Sequence, residues 1–203
     1  MTESEWLACT NPLPMLVFLQ GKARERKLRL FVCAGSRSLW GRLSNDERYV
    51  CDVGERYADS VARQDDVETA RWLASERVKY RGMVLAVRED ITACIFSMFS
   101  HEFYFWKDKP EGYCTLLRDI FGNPFYPFQI DPVWITPTVT SLATAAYEDR
   151  ALSSGELDPA RLAVLSDALE EAGCDNPDIL AHLRTPGPHV RGCWVVDLLL
   201  GKE

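Results

Sequence analysis

Four predicted helix starts in this chain consist of a strong N-cap residue that stands directly before a proline. The pairs are Asn11–Pro12, Thr136–Pro137, Asp158–Pro159 and Asn176–Pro177. The Asn, Thr or Asp side chain can accept a hydrogen bond from a free N–H of the first turn, and proline suits the first helical position because no donor is lost there. The repeated signal predicts a chain built from short helices with well-defined starts.

The segment 157–202 shows this organisation most clearly. After Asp158–Pro159, apolar residues recur at steps of three and four and predict a helix that stops at Gly173. A second, very short helix is predicted from Asn176 to the Thr-Pro-Gly-Pro turn at 185–188. The run 194–200 is apolar nearly all round and predicts a buried helix; a buried strand is the alternative, because periodicity does not separate the two in a short run.

The rest of the chain gives the same kind of signal. Thr2 with Glu5 suits a capping box, and helices are predicted at 12–20, at 23–43, at 46–62 with Asn45 as cap, and onward from Asp65 or Asp66. The stretch 121–136 is different because its prolines exclude a regular helix while its aromatic residues need a core to pack against. We therefore expect an irregular loop anchored by its aromatic side chains.

The predicted fold class is all-α, a compact domain of about nine or ten helices with an aromatic-anchored irregular loop. We expect an N-terminal helical part at 1–120, the Pro/aromatic loop at 121–136 and a C-terminal helical part at 137–203, together forming one compact domain. The aromatic-rich stretch 96–106 is predicted to be core, with a short strand at 102–106 as the alternative.

Composition restricts the function classes. The formal net charge of −7 gives no general attraction to nucleic acid. The N-terminus has no basic region of a signal peptide, and the apolar runs are too short to span a bilayer, so we expect a cytoplasmic protein with no membrane partner. The seven cysteines are scattered without a Cys-x-x-Cys pair, which predicts free, mostly buried thiols.

Three stretches carry a resemblance to a known family. They are EWLACTNPLPMLVFLQGKARERKLRLF near the start, LLRDIFGNPF in the middle and SDALEEAGCDNPDILAHLRTPGPHVRGCWVVDLLLGKE at the end. Together they resemble a large paralogous family of uncharacterised bacterial proteins, and residues 64–107 lie outside the resemblance. It implies a compact bacterial helical domain and no particular reaction.

One group of residues has the composition of a metal site. Cys174, His182, His189 and Cys193 supply two thiols and two imidazoles, a complete tetrahedral zinc set. Their spacing is wider than in common zinc fingers and contains no close cysteine pair. The alternative is a buried Cys174, a surface His182, a helix-start His189 and a core Cys193. The sequence favours no metal and no cofactor, and zinc on these four residues remains the alternative.

A basic stretch near the N-terminus is the candidate partner-binding surface. Lys22, Arg26 and Arg29 follow one another by steps of four and three, which places them on one helical face. Because Leu28 and Phe31 are predicted to face the core, we expect this stripe to face solvent and to bind another protein through an acidic segment. A solvated helix face with no partner is the alternative.

Catalysis has little support in the sequence. It contains no Gly-x-Ser-x-Gly, no phosphate-binding glycine loop and no dinucleotide fingerprint, and a thiol–imidazole pair at Cys94 and His101 is the one local candidate. We predict a non-enzymatic protein-interaction module, an adaptor or regulatory subunit of a bacterial cytoplasmic system. The alternative is a zinc-supported or hydrolytic protein that uses the C-terminal Cys/His set.

Overall fold

The protein is all-α, as predicted. A computed structural model describes residues 1–79, 81–92, 95 and 110–202, and this part of the chain contains eleven α-helices and no β-strand. The stretch 96–106, with its alternative strand, lies outside the described residues. The chain divides into two compact units, Met1–Arg118 and Asp119–Glu203.

The predicted helix starts are confirmed at atomic detail. Asn11 accepts from the Leu13 N–H and Thr136 from the Val139 N–H, while Asp158 and Asn176 cap their helices in the same way, each with proline in the first turn. Thr2 and Glu5 form the predicted capping box. Because each cap bonds within its own first turn, these boundaries could be predicted from local sequence.

The first unit contains six helices among its described residues, together with the greater part of a seventh. They are α1 Glu3–Ala8, α2 Pro12–Leu19, α3 Glu25–Arg37, α4 Asn45–Ala58, α5 Gln64–Glu76, α6 Arg81–Val84 and α7 Pro110–Phe121, of which residues 119–121 belong to the second unit. Short 3₁₀ turns occur at Trp40–Arg42 and Leu85–Val87. The helices α3, α4 and α5 pack side by side, and small and β-branched residues of α4 and α5 fill the space between them.

Several boundaries in this unit differ from prediction; the helix expected at 46–62, for example, ends at Ala58. The helix expected at 23–43 ends at Arg37 and is followed by a 3₁₀ turn, and Ser44 rather than Asn45 caps α4 through a capping box with Glu47. Gly35 lies inside α3, where its missing side chain makes room for Tyr113; a Cβ there would lie 2.8 Å from Tyr113 Cε1.

A buried ion pair joins α3 to α4. Arg37 donates through Nε to Glu55 Oε1 at 2.5 Å and through Nη2 to Glu55 Oε2 at 2.8 Å, and both side chains are almost fully buried. Arg37 Nη2 also reaches Asp52 at 2.6 Å. The two parallel bonds of a guanidinium to one carboxylate fix direction as well as distance, so this pair sets how α3 and α4 meet.

The second unit is built around one apolar core. Its helices are α8 Pro137–Glu148, α9 Pro159–Glu171, α10 Pro177–Arg184 and α11 Trp194–Leu200, and the 3₁₀ turn Pro132–Trp134 precedes them. The run 194–200 is a helix, as preferred, and it ends at Gly201 in the left-handed conformation. Val195, Val196 and Leu199 lie in the core with residues of the other three helices.

The Pro/aromatic loop packs against this core, as predicted. Phe128, Ile130 and Trp134 contact the core cluster, and the Phe128 ring stacks on Trp194 with centroids 4.5 Å apart. Tyr126 and Val133 point outward and are mostly exposed. The side chains on one face of the loop therefore hold it against the core, and those on the other face lie in solvent.

Candidate metal centre

Four side chains of the second unit converge on one place. Asp119 lies in the last turn of α7, His182 in the last turn of α10, His189 just after the 185–188 turn, and Cys193 at the N-cap position of α11. One donor atom from each residue can be chosen so that all four lie within 4.8 Å of one another. The site thus uses three helix ends and one loop, all within residues 119–193.

The separations are short and specific. Asp119 Oδ1 lies 2.8 Å from His189 Nδ1 and 3.2 Å from His182 Nε2. His182 Nε2 also lies 3.2 Å from Cys193 Sγ. Zinc bonds of about 2.0–2.3 Å in a tetrahedron separate neighbouring ligand atoms by about 3.3–3.8 Å. The two 3.2 Å separations are close to this spacing, whereas the 2.8 Å contact between Asp119 and His189 is a hydrogen-bond distance that would lengthen around an ion.

Asp119 and His189 each make a further hydrogen bond on the side that faces away from the group. Asp119 Oδ2, the oxygen turned away from the histidines, accepts from the Val190 N–H at 2.8 Å. His189 Nε2 faces the Thr185 carbonyl oxygen at 3.1 Å. Outer contacts of this kind orient carboxylate and imidazole ligands in metal sites.

Most of the site is closed to solvent. Asp119, His189 and Cys193 are almost fully buried, whereas the His182 side chain is 18% exposed. Trp194 forms one wall, with its ring centroid 5.1 Å from that of His182 and its other contacts on Phe128. The edge of His182 is therefore the side from which the site is reached.

The charges at the site favour an ionised pair. Burial alone would lower the pKa of His189, but its hydrogen bond to Asp119 and the charge of that carboxylate outweigh burial and raise the pKa above its ordinary value. Burial alone would raise the pKa of Asp119, but the hydrogen bonds from His182 and His189 lower it below its ordinary value. Asp119 is thus an anion at neutral pH, the form that binds a metal.

Three of the four residues that the sequence singled out for a metal come together, and the fourth does not. Cys174 is buried in the core after α9, where its N–H donates to the Leu169 carbonyl, and it is not part of the group. Asp119 takes the fourth place. Sequence spacing gave no signal for this residue, because it lies on a helix that precedes the other three residues by a long stretch of chain.

The basic stripe does not face solvent as predicted. Arg29 is only 4% exposed, and its Nη1 donates to the carbonyl of Ala86 at 2.8 Å. Arg26 is half-buried and pairs with Asp59 at 2.9 Å, and Lys22 is exposed with its ammonium over the Phe18 ring. The prediction of a three-residue solvent-facing stripe is therefore wrong for Arg29, since its guanidinium satisfies backbone carbonyls at the end of another segment.

The thiol–imidazole pair suggested at Cys94 and His101 lies outside the described residues. None of the described helices has the length and apolar character that spanning a bilayer requires. Comparison with protein-family models, with curated proteins and with solved structures found no match to this chain.

Proposed function

We propose that this protein is a zinc-supported, non-enzymatic helical module, in which Asp119, His182, His189 and Cys193 hold one structural zinc ion. The observation that carries the proposal is the convergence of four donor atoms within 4.8 Å, with donors drawn from chain segments far apart in sequence. A cluster of hydrogen-bonding side chains does not need a thiol beside two imidazoles and a carboxylate, whereas zinc accepts all three ligand types.

The donor set favours zinc over other common ions. Magnesium and calcium prefer oxygen ligands, and only Asp119 offers one here. Copper(I) prefers sulfur, and only Cys193 offers it. Two imidazoles with one thiolate and one carboxylate match the borderline softness of zinc and its tetrahedral habit.

A structural role is favoured over a hydrolytic one. Catalytic zinc sites keep a position open for water or substrate, whereas structural sites are closed by four protein ligands. Here four protein donors are present and three of them are almost fully buried. The hydrolytic alternative would require one ligand, such as the Asp119 carboxylate, to leave the ion.

The test is metal analysis of the full chain with a matched pair of cysteine variants. Cys193→Ser removes a proposed ligand, and Cys174→Ser removes a buried thiol of the same unit that lies outside the group. We expect one zinc per chain in the parent and in Cys174→Ser, and less than one-tenth of that in Cys193→Ser. Cobalt substitution should give tetrahedral d–d bands and a thiolate charge-transfer band that Cys193→Ser abolishes.

The proposal is overturned if the parent stays metal-free when dialysed against zinc and its melting temperature is unchanged by zinc or by a chelator. In that case the four residues form a hydrogen-bonded network that only supports the fold. A cobalt spectrum typical of five-coordination would instead favour an open site and the hydrolytic alternative.

As the wider role we propose an interaction module, an adaptor or regulatory subunit of a bacterial cytoplasmic system. A closed metal site of the kind proposed would stabilise the fold without providing a reaction, and the sequence contains none of the catalytic motifs named above. An acidic partner segment would reach this protein through Lys22, the exposed member of the predicted stripe. Binding of an acidic peptide that weakens with salt and with Lys22→Glu would support this partner; equal binding by the variant would exclude it.

A further inference from the structure

We infer that the two histidines bind the ion through different ring nitrogens, His182 through Nε2 and His189 through Nδ1, and that the turn Thr185–Gly187 imposes this arrangement. The inference rests on the proposed zinc site and adds its coordination mode and two positioning residues. It follows from which atoms face the two rings, and from the space around Gly187.

The orientation of His189 is set by two acceptors on opposite sides of its ring. Nδ1 lies 2.8 Å from Asp119 Oδ1, inside the site, and Nε2 lies 3.1 Å from the Thr185 carbonyl oxygen, outside it. A carbonyl oxygen only accepts, so Nε2 carries a proton. Asp119 Oδ1 also only accepts, so Nδ1 donates to it in this arrangement. Because a ligating imidazole is neutral, zinc would displace the proton of Nδ1 and leave the proton of Nε2 on the Thr185 carbonyl.

His182 presents the opposite nitrogen. Its Nε2 lies 3.2 Å from Asp119 Oδ1 and 3.2 Å from Cys193 Sγ, so this atom faces the other donors. The neutral ring that binds metal through Nε2 carries its proton on Nδ1. The two rings meet edge to face, with centroids 4.7 Å apart and planes at 78°, so they approach the centre from different directions.

Thr185 links the two histidines. Its hydroxyl donates to the His182 carbonyl at 2.7 Å, and its N–H donates to the carbonyls of Ala181 and His182 at the end of α10. Its own carbonyl accepts from His189 Nε2. Thr185 is therefore hydrogen-bonded to the end of α10, which carries His182, and its carbonyl fixes a proton on Nε2 of His189.

Gly187 provides the space that this arrangement needs. Its φ is +92°, and a Cβ there would lie 2.8 Å from the His189 backbone nitrogen and 3.2 Å from His189 Cδ2, the ring carbon next to Nε2. Gly173 has nearly the same φ, +91°, but a Cβ there would meet nothing within 4 Å. The two glycines thus share their backbone conformation and differ in what surrounds them.

The experiment observes the coordinating nitrogens directly. The full chain, labelled with ¹⁵N-histidine, is loaded with zinc and separately with ¹¹³Cd, and long-range ¹H–¹⁵N spectra assign the protonated nitrogen of each ring. We expect the proton on Nδ1 of His182 and on Nε2 of His189, with cadmium coupled to the other nitrogen in each case. Coupling of cadmium to Nε2 of both rings overturns the inference and leaves the metal site standing, whereas no bound ion overturns the site and the inference together.

The glycine pair tests the role of the turn. Gly187→Ala should weaken zinc binding by about 10–100-fold, the usual effect of disturbing an outer contact to a ligand, and should shift the His189 nitrogen resonances. Gly173→Ala carries a similar backbone strain and should change zinc affinity less than about 3-fold. If both variants bind zinc equally well, or both lose it equally, Gly187 is not a positioning residue. If Gly187→Ala does not fold, the nitrogen assignments of the parent still decide the coordination mode.

Discussion

Asp119 and His189 are joined by a 2.8 Å contact between Oδ1 and Nδ1, although 70 positions separate them in the sequence. The contact is almost fully buried, and the second oxygen of the same carboxylate holds the Val190 N–H. One side chain of α7 thus fixes both the ring and the backbone of the segment that follows the 185–188 turn.

Asp119→Asn should remove zinc binding and also destabilise the metal-free protein. The amide keeps the shape but loses the charge that faces two histidines, and breaking a buried ionic pair typically costs about 3–5 kcal/mol. Asp175→Asn, an exposed change in the same unit, should stay within about 0.5 kcal/mol of the parent. Urea unfolding with a chelator present measures the stability of the metal-free protein, and competition with a zinc-binding dye measures zinc affinity. Equal behaviour of the two variants would mean that Asp119 is neither a ligand nor a structural anchor.

Trp194→Ala should destabilise the second unit by about 3–5 kcal/mol, the usual cost of removing a large aromatic side chain from a core. The ring packs between Phe128 and His182 and lies against the backbone at Gly122. Trp72→Ala is the control, because Trp72 is mostly exposed. Thermal and urea unfolding measure both changes. If Trp194→Ala melts with the parent, the ring is a surface group and the loop is anchored elsewhere.

Arg29→Glu should lower the free energy of unfolding by about 3 kcal/mol or more. The substitution places a carboxylate where the guanidinium donates to carbonyl oxygens, and a buried charge that faces acceptors has no compensating hydrogen bond. Lys22→Glu alters an exposed residue, whose contact with the Phe18 ring contributes about 0.5–1 kcal/mol at most. Parallel urea titrations compare the two. If Arg29→Glu is as stable as the parent, Arg29 faces solvent as the sequence predicted.

Arg37→Ala should destabilise the first unit by about 3–5 kcal/mol, because it leaves the Glu55 carboxylate buried without the guanidinium that binds it twice. Replacing Arg37 and Glu55 together by methionine should cost much less, since no buried charge remains. Arg88→Ala, which breaks an exposed pair with Asp90, should cost at most about 1 kcal/mol. A double variant as unstable as Arg37→Ala would show that the packing of the two side chains, and not their charge, holds α3 and α4 together.

Local signals in the sequence were sufficient for the fold class and for most helix starts. Asn176 and Asp158 cap their helices by bonding within the first turn, so nothing distant is needed to predict them. The end of α3 was predicted less well. Residues 38–43 carry no proline, and Gly41 lies inside the 3₁₀ turn Trp40–Arg42 and not at the end of α3, which is Arg37.

The candidate site was predicted only in part, because one of its residues is distant in sequence from the others. His182, His189 and Cys193 lie close in sequence, so a donor pattern was visible, whereas Asp119 joins them through tertiary structure alone. Arg29 resembled a surface residue because its acceptors, the carbonyls of Leu85 and Ala86, have no counterpart in the side-chain pattern. Periodicity and spacing of side chains in the sequence predict neither a hydrogen bond to a distant main-chain carbonyl nor a donor residue that tertiary structure brings to the site.

The position of Asp119 also matters for the unfolded chain. Cys193 and His182 are only 11 positions apart, so an ion held by the C-terminal ligands alone would close a short loop that a peptide could form. Adding Asp119 extends the closed loop to 70 positions and encloses α8, α9 and α10. The entropic cost of closing a loop grows with the logarithm of its length. The 70-position loop would therefore lower the conformational entropy of the unfolded chain more than the 11-position loop, by about 1.5–2 kcal/mol in free energy. With zinc bound as proposed, Asp119 would extend a short local cross-link to one that spans nearly the whole second unit.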